Sequence, residues 1–191
     1  MSETSVVIAG FGGQGVLFAG QLLAYAGMEN GRFVTWIPSY GPEMRGGTAN
    51  CIVIVSDEPV GSPVVAEPDI AVVLNAPSFE KYEPLVKSGG LLVVNSSIVL
   101  ATSDRDDIDV VYIPANNIAE AYGSAKMMNM AAMGAMLAKR PFLSVKIMEQ
   151  ALIDHLPTSK AHLLENNLQV IRHSFKLATV GEAHAVNGSG V

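Results

Sequence analysis

Cysteine and basic charge are both scarce in this 191-residue chain, and each shortage excludes a class of protein. The single cysteine, Cys51, excludes an internal disulfide, and it also excludes an iron–sulfur cluster or a cysteine-rich zinc site ligated by this chain alone. Only 12 Lys and Arg residues stand against 18 Asp and Glu residues, and the formal net charge of -6 argues against a nucleic-acid partner held by many phosphate contacts. A reducing, cytoplasmic setting is the simplest inference.

Long uninterrupted apolar runs are also lacking, which argues against a membrane protein. Residues 5–28 come nearest to one, but five glycines precede position 21 and Glu3 stands where a signal peptide would carry a basic leader. The chain is instead 49% hydrophobic and 16% charged, as in a globular domain with one sizeable core. We expect a single domain over residues 1–178 and a flexible tail over residues 179–191, which are small and polar.

Short β-branched runs alternate with helical segments through the first 113 residues, and helical segments follow. The predicted strands cover residues 5–9, 33–37, 48–56, 69–74, 91–95 and 110–113, and the predicted helices cover residues 16–28, 78–86, 118–122, 124–139, 144–156 and 161–177. This pattern predicts an α/β fold: a doubly wound, mostly parallel, Rossmann-like three-layer sheet with helices on both faces and a helical C-terminal part. An apolar stripe on the last helix must pack on something. We also expect the isolated chain to self-associate, and the helix over residues 161–177 is a candidate for part of the contact surface.

A glycine-rich turn, GFGGQG, separates the first predicted strand from the first predicted helix. Its candidate ligand-binding residues are Gly10, Gly12, Gly13, Gln14 and Gly15. Backbone N–H groups at a helix N-terminus stabilise a phosphate or carboxylate, although glycines in this position can also serve only a tight turn. An NAD site requires an acidic residue at the end of the second strand, and residues 34–38 supply none.

A second candidate site is the loop SYGPEMRGG at residues 39–47, which combines glycines, a proline, an aromatic residue and both signs of charge. Its candidate residues are Tyr40, Gly41, Pro42, Glu43, Arg45, Gly46 and Gly47. Asn75 ends the fourth predicted strand. Because ligands of such sheets bind beyond the carboxyl ends of the strands, we expect the turn, the loop and Asn75 to converge at one edge.

The glycine turn followed about twenty-five residues later by SYGPEMRGGTANC resembles the γ subunit of the 2-oxoacid:ferredoxin (acceptor) oxidoreductases. The resemblance runs from Val6 through Ala76 and Pro77 to the methionine-rich segment AKMMNMAAMGAML. The loop resembles that of the 2-oxoglutarate and branched-chain members, and Met44 and Gly47 favour the 2-oxoglutarate class over the pyruvate class. A branched-chain 2-oxoacid stays open as the substrate.

The resemblance implies a multi-subunit enzyme in which this chain has no chemistry alone. Thiamine diphosphate, Mg and iron–sulfur clusters would belong to the α and β subunits or to a small ferredoxin-like δ subunit, coenzyme A would collect the acyl group, and ferredoxin would accept the electrons. This chain has no Gly-Asp-Gly segment for a thiamine diphosphate magnesium site. The loop would lie near the coenzyme A entrance, where Arg45 could meet a phosphate or carboxylate and Glu43 would orient it, or both would only lock the loop.

The alternatives are a phosphate- or nucleotide-binding regulatory module and a self-sufficient nucleotide-dependent enzyme. A metal site is disfavoured, because His155, His162 and His173 have no cysteine or carboxylate at ligand spacing, and we expect them to be solvated or capping residues. The methionine-rich segment indicates a buried helix, with Asn129 as its polar exception. Cys51 is expected to be a buried thiol.

Overall fold

The computed structural model describes residues 3–40 and 48–181, which form one six-stranded sheet flanked by helices. The strands are β1 Glu3–Phe11, β2 Phe33–Tyr40, β3 Thr48–Ser56, β4 Ile70–Val73, β5 Leu91–Asn95 and β6 Asp109–Ile113. The helices are α1 Val16–Glu29, α2 Ala76–Tyr82, α3 Ala115–Ala121, α4 Met128–Lys139, α5 Val145–His155 and α6 Leu164–Val180, with 3₁₀ turns at Glu83–Leu85, Ala125–Met127 and Thr158–Leu163. The predicted α/β class and the helical C-terminal part are confirmed.

The strand order is β2-β3-β1-β4-β5-β6. Strands β1, β4, β5 and β6 pair in parallel, whereas β3 pairs antiparallel with both β1 and β2. The sheet is therefore mostly parallel, as predicted, but β2 and β3 form a hairpin inserted beside β1. The reason is the short connection at residues 41–47, because a parallel crossover needs about a dozen residues or more.

Helices cover both faces of the sheet, but unequally. Val6 and Ile8 of β1 face the large core beneath α1 and α3 to α6, whereas Val7 and Ala9 face a smaller core beneath α2. This alternation follows from the two-residue period of a strand, and β1 is apolar on both sides because both sides are buried. Within residues 3–40 and 48–181, no helix is both long and apolar enough to cross a bilayer.

Most predicted helix ends shift by a few residues. The Ser144 N-cap is confirmed, since its hydroxyl accepts a hydrogen bond from the Ile147 N–H at 3.3 Å. Helix α6 begins three residues later than predicted, because residues 161–163 belong to a 3₁₀ turn, and it continues to Val180. Gly181, with φ of 82°, ends α6, and the predicted tail from residue 182 onward lies outside the described residues.

The apolar stripe of α6 packs against α4. Leu168 and Ile171 are buried in the large core, and Leu164 and Phe175 pack against it. Packing of this stripe is thus confirmed, and because α4 of the same chain covers it, the stripe itself is not a free contact surface. Self-association of the isolated chain stays a prediction.

Asp69 joins the start of β4 to the start of β1. Its Oδ2 accepts hydrogen bonds from the Ser5 N–H at 2.9 Å and from the Ser5 hydroxyl at 2.7 Å, and Lys87 Nζ lies 3.2 Å from Oδ1. Burial opposes ionisation of Asp69, but the hydrogen bonds from Ser5 and the Lys87 charge outweigh it, so the pKa of Asp69 is lowered.

This lowered pKa predicts acid sensitivity. Since the folded state binds the Asp69 proton more weakly than the unfolded chain does, Asp69 contributes stability above its unfolded pKa of about 3.9, and that stability is lost as the pH falls through the lower folded value. We expect Asp69→Asn to be less stable than wild type at pH 7, with the difference shrinking toward pH 3 in urea unfolding series. A difference that is constant with pH would contradict the assignment. Asp154→Asn, an exposed change on α5, serves as the control.

Candidate functional site

The carboxyl ends of three strands bring the predicted site residues to one edge of the sheet. Tyr40 at the end of β2 pairs with Ala49, which pairs in turn with Gly10 near the end of β1. Val73 of β4 pairs with Ala9, so Asn75 follows at the same edge. The remaining predicted loop residues, Gly41, Pro42, Glu43, Arg45, Gly46 and Gly47, lie outside the described residues.

The glycine turn links β1 to the N-terminus of α1. Gly13 and Gly15 have φ values of 97° and 73°, in the left-handed region that favours glycine. Gly15 is the N-cap residue, and α1 has neither a side-chain cap nor an acidic residue in its first turn. The first N–H groups of α1 are therefore not capped by a carboxylate or a hydroxyl from this end of the helix. Uncapped N–H groups at a helix N-terminus can bind an anion.

Gln14, predicted to bind a ligand, points into the protein. Its Oε1 accepts a hydrogen bond from the Phe11 N–H at 2.6 Å, and its Nε2 donates to the Leu74 carbonyl at 3.2 Å. Nε2 also lies 3.7 Å from the sulfur of Met128 on α4. The buried amide of Gln14 thus fixes the conformation of the turn and holds it against β4 and α4.

Loss of this amide should loosen the turn. We expect Gln14→Leu to lower the free energy of unfolding by about 1–3 kcal/mol, because the buried groups that bond to the amide lose their partner. Urea denaturation measures the effect. Gln21→Leu, which removes only a 3.3 Å contact with the Tyr25 hydroxyl on α1, is the control and should change stability far less. Equal losses in the two variants would argue against the role of Gln14.

Asn129 fixes the other side of the turn. It lies in the methionine-rich helix, whose residues 128–137 are all buried, so the predicted core helix is confirmed. Asn129 Nδ2 donates to the Gly15 carbonyl at 3.1 Å, and a Cβ atom at Gly15 would lie 2.5 Å from this nitrogen. The polar exception in the run is therefore the residue that joins α4 to the glycine turn.

Two asparagines end neighbouring strands at the same edge. Asn75 caps α2 by accepting a hydrogen bond from the Ser78 N–H at 2.9 Å, and its buried Nδ2 has no partner among the described residues. Asn95, which the sequence interpretation missed, accepts from the Ala115 N–H at 3.2 Å and donates to Asn116 Oδ1 at 2.9 Å. The missed signal is the similarity of AVVLN and LLVVN, two buried strands that each end in asparagine.

A cleft of about 280 Å³ opens beside the turn. Gly13 and Gly15 line one side, and Lys126 and Lys160 line it from the segments that precede α4 and α6. Among the described residues that line this cleft, none carries a carboxylate. The positive end of the α1 dipole and two ammonium groups thus create a local anion-attracting field in an acidic protein. Sequence interpretation missed both lysines, which reach the turn only through the tertiary fold.

Two of the histidines contact aromatic or acidic side chains, and the cysteine is buried. His155 stacks on Tyr25 with ring centroids 3.8 Å apart, and its Nε2 lies 2.5 Å from Glu29 Oε1, a carboxylate that sequence spacing did not reveal. His173 Nδ1 lies 2.9 Å from the Tyr122 hydroxyl. Among the described residues, no group of three or more His, Cys, Asp or Glu side chains could hold a metal ion. Cys51 is buried, and burial raises its pKa to about 12.

The family described as pyruvate ferredoxin/flavodoxin oxidoreductase matches residues 5–177. The 2-oxoglutarate synthase subunit KorC of Methanocaldococcus jannaschii is 33% identical over 175 residues, which cover 90% of this chain and 91% of the relative. Ketoisovalerate oxidoreductase subunit VorA of Methanothermobacter marburgensis is 42% identical over 139 residues, which cover 71% of this chain. The matched segment spans only 28% of the length of that relative.

Solved structures agree with the sequence relatives. The γ subunit of keto/oxoacid ferredoxin oxidoreductase from Geobacter sulfurreducens has a TM-score of 0.83 and 28% identity, with 94% of this chain and 98% of that chain covered. The 2-oxoglutarate:ferredoxin oxidoreductase from Magnetococcus marinus has a TM-score of 0.85 at 22% identity and shows the shared fold over 32% of its length. The resemblance to the γ subunits is confirmed. The chain belongs to the pyruvate ferredoxin/flavodoxin oxidoreductase family.

Proposed function

We propose that this chain is the γ subunit of a 2-oxoacid:ferredoxin oxidoreductase. Such a complex oxidatively decarboxylates a 2-oxoacid to its acyl-CoA and CO2 and reduces ferredoxin. The proposal rests on the match to the KorC subunit, because the aligned segment covers 90% of this chain and 91% of the relative. A self-sufficient enzyme and a regulatory phosphate-binding module are both less well supported, because neither accounts for a match to an oxidoreductase subunit along nearly the whole chain.

The described metal-ligating side chains of this chain do not match those that the cofactors of this reaction require. Thiamine diphosphate requires a magnesium site, and the described residues contain no group of three or more His, Cys, Asp or Glu side chains that could hold a metal ion. An iron–sulfur cluster requires several thiolates, and the chain has one thiol, which burial holds protonated with a pKa of about 12. In this proposal the α and β subunits, with a ferredoxin-like δ subunit where one exists, carry the cofactors in a cytoplasmic complex.

The proposed role of this chain is to shape the entrance for coenzyme A. Coenzyme A carries phosphates, and the carboxyl edge of the sheet presents the open N-terminus of α1 together with Lys126 and Lys160. The loop at residues 39–47 starts at the same edge and carries Arg45, which can donate two parallel hydrogen bonds to a phosphate. The proposed contacts to coenzyme A therefore come from Gly13, Gly15, Lys126, Lys160 and Arg45, while Gln14 and Asn129 hold the turn in place.

We propose 2-oxoglutarate as the substrate. The support is the end-to-end match to KorC, together with Met44 and Gly47 in the loop. A branched-chain 2-oxoacid is the second candidate, because the VorA relative is more similar over the part that matches, 42% against 33% identity.

Production of the chain alone and with its α and β subunits tests the proposal. The isolated chain should contain neither iron nor thiamine and show no turnover, whereas the assembled complex should contain both and reduce ferredoxin in the presence of coenzyme A and 2-oxoglutarate. Faster turnover of 2-oxoisovalerate would select the second candidate. Turnover of any substrate by the isolated chain, or a complex with full activity in its absence, would refute the assignment.

A further inference from the structure

A second cleft lies between α1 and the end of α5. Its volume is about 210 Å³, and most of the residues that line it are aromatic or apolar. They are Phe18, Leu22, Tyr25, His155 and Pro157, and Gln21 adds a polar amide. We call this the aromatic cleft, and we call the cleft beside the glycine turn the turn cleft.

The two clefts adjoin at Phe18, which lines both. Leu156 lines the turn cleft, and the next residue, Pro157, lines the aromatic cleft. Lys160 Nζ lies 6.0 Å from the centroid of the Phe18 ring, so its charge is located where the clefts meet. The two volumes together fall within the range of about 300–1,000 Å³ that is usual for small-molecule sites, so one ligand can occupy both clefts.

The two clefts differ in chemistry. The turn cleft attracts an anion, because Lys126, Lys160 and the N-terminus of α1 meet there. The aromatic cleft offers ring surface, since Tyr25 and His155 stack with an angle of 12° between their planes. A flat aromatic ring packs well on such a surface. None of the described residues that line either cleft is an Asp or a Glu, so a phosphate meets no like charge in the lining.

Contacts within the protein hold the rings of the aromatic cleft in place. His155 Nε2 lies 2.5 Å from Glu29 Oε1, and Gln21 Nε2 donates a hydrogen bond to the Tyr25 hydroxyl at 3.3 Å. Both rings are therefore positioned before a ligand binds, which lowers the entropy that binding costs.

This combination favours one class of ligand. Inorganic phosphate would use the turn cleft and leave the aromatic cleft unused, and an apolar molecule would not use the two lysines. A nucleotide uses both clefts, because it joins a flat base to phosphates. NAD is disfavoured, since the end of β2 at residues 38–40 has no acidic residue to hold its ribose.

We propose that the two clefts form one nucleotide site, with the phosphates in the turn cleft and the base in the aromatic cleft. Coenzyme A contains an adenosine diphosphate unit and supplies this chemistry, and a free adenine nucleotide supplies it as well. With coenzyme A as the ligand, the inference rests on the proposed function and extends it. This chain then holds the nucleotide end of coenzyme A, and the thiol end stays free to reach the partner subunits.

Calorimetric titration of the purified full chain with ADP and with pyrophosphate tests the inference. Both probes have two linked phosphates, but only ADP has a base. We expect ADP to bind about ten- to a hundredfold more tightly, because its base stacks on aromatic side chains. Charge alone does not give this order, since pyrophosphate is at least as negative as ADP. Equal affinities, or no binding of either probe, would overturn the inference.

Two substitutions locate the base and the phosphates. Tyr25→Leu should weaken ADP binding about tenfold or more and leave pyrophosphate binding unchanged, whereas Lys160→Ala should weaken the binding of both probes. Tyr122→Leu is the matched control, because Tyr122 also contacts a histidine, His173, but lines a different cleft. If Tyr25→Leu binds ADP as wild type does, the position of the base is refuted.

NMR titration of the wild-type chain provides a measurement that does not depend on a variant. ADP should shift the backbone amide signals of residues 13–25 and 155–160, and pyrophosphate should shift only those beside the turn cleft. Shifts confined to other segments would overturn the site.

The assembled enzyme separates the two sources of the nucleotide. If Tyr25→Leu raises the coenzyme A concentration needed for half-maximal turnover about tenfold, coenzyme A is the ligand. If this concentration is unchanged although the isolated Tyr25→Leu chain has lost affinity for ADP, the nucleotide site stands with a free adenine nucleotide as its ligand. That second result would count against the coenzyme A role in the proposed function.

Discussion

Replacement of Gly134 by valine is expected to lower the free energy of unfolding by about 3–4 kcal/mol, near the upper end for overpacked cores. A Cβ atom at Gly134 would lie 2.4 Å from the Ile171 carbonyl oxygen and 3.2 Å from the Phe175 nitrogen. Both are backbone atoms of α6 and cannot rotate away as a side chain can. Helices α4 and α6 would have to separate, and α4 carries the buried residues that hold the glycine turn.

Thermal and urea unfolding of the purified chain measure this loss, and a fall in melting temperature of about 10 °C corresponds to it for a chain of this size. Gly61→Val is the control, because a Cβ at that position would have no described heavy atom within 4 Å apart from its two chain neighbours. The control should change stability by less than about 0.5 kcal/mol. A loss below about 1 kcal/mol for Gly134→Val would show that α4 and α6 are not in close backbone contact.

Much of the fold could be predicted from local pattern alone. The strands at residues 48–56 and 91–95 were predicted with their observed bounds, because both are β-branched runs between turn residues. The antiparallel insertion of β3 was not predicted, although its signal was present in the seven residues between β2 and β3. The stripe on α6 showed that the helix packs, but periodicity cannot say on which element, and the structure shows that it packs on α4 of the same chain.

The candidate site was predicted less completely than the fold. The glycines of the turn were found because their conformations depend on local sequence, as the positive φ values of Gly13 and Gly15 show. The inward direction of Gln14 depends on Leu74 and on Met128 of α4, and the approach of Lys126 and Lys160 depends on distant segments. Contacts between segments distant in sequence are what a linear pattern does not contain.

Replacement of Arg45 by alanine is expected to raise the coenzyme A concentration needed for half-maximal turnover of the assembled enzyme roughly ten- to a hundredfold. The physical reason is the loss of one charge-assisted contact to a phosphate, which costs on the order of 1.5–3 kcal/mol. The Michaelis constant for the 2-oxoacid should stay unchanged, since only the step that consumes coenzyme A uses the loop entrance. Steady-state ferredoxin reduction with each substrate varied in turn separates the two constants.

Two variants control this experiment. Arg45→Lys should restore little of the coenzyme A dependence if the contact uses two parallel N–H donors, because a lysine offers a single charged point. Arg32→Ala, which removes a cation at the opposite end of β2, should leave the coenzyme A dependence as in wild type. If Arg45→Ala turns over normally with an unchanged coenzyme A requirement, the entrance role is excluded. If the subunits fail to assemble, Arg45 instead stabilises the loop or the subunit contact.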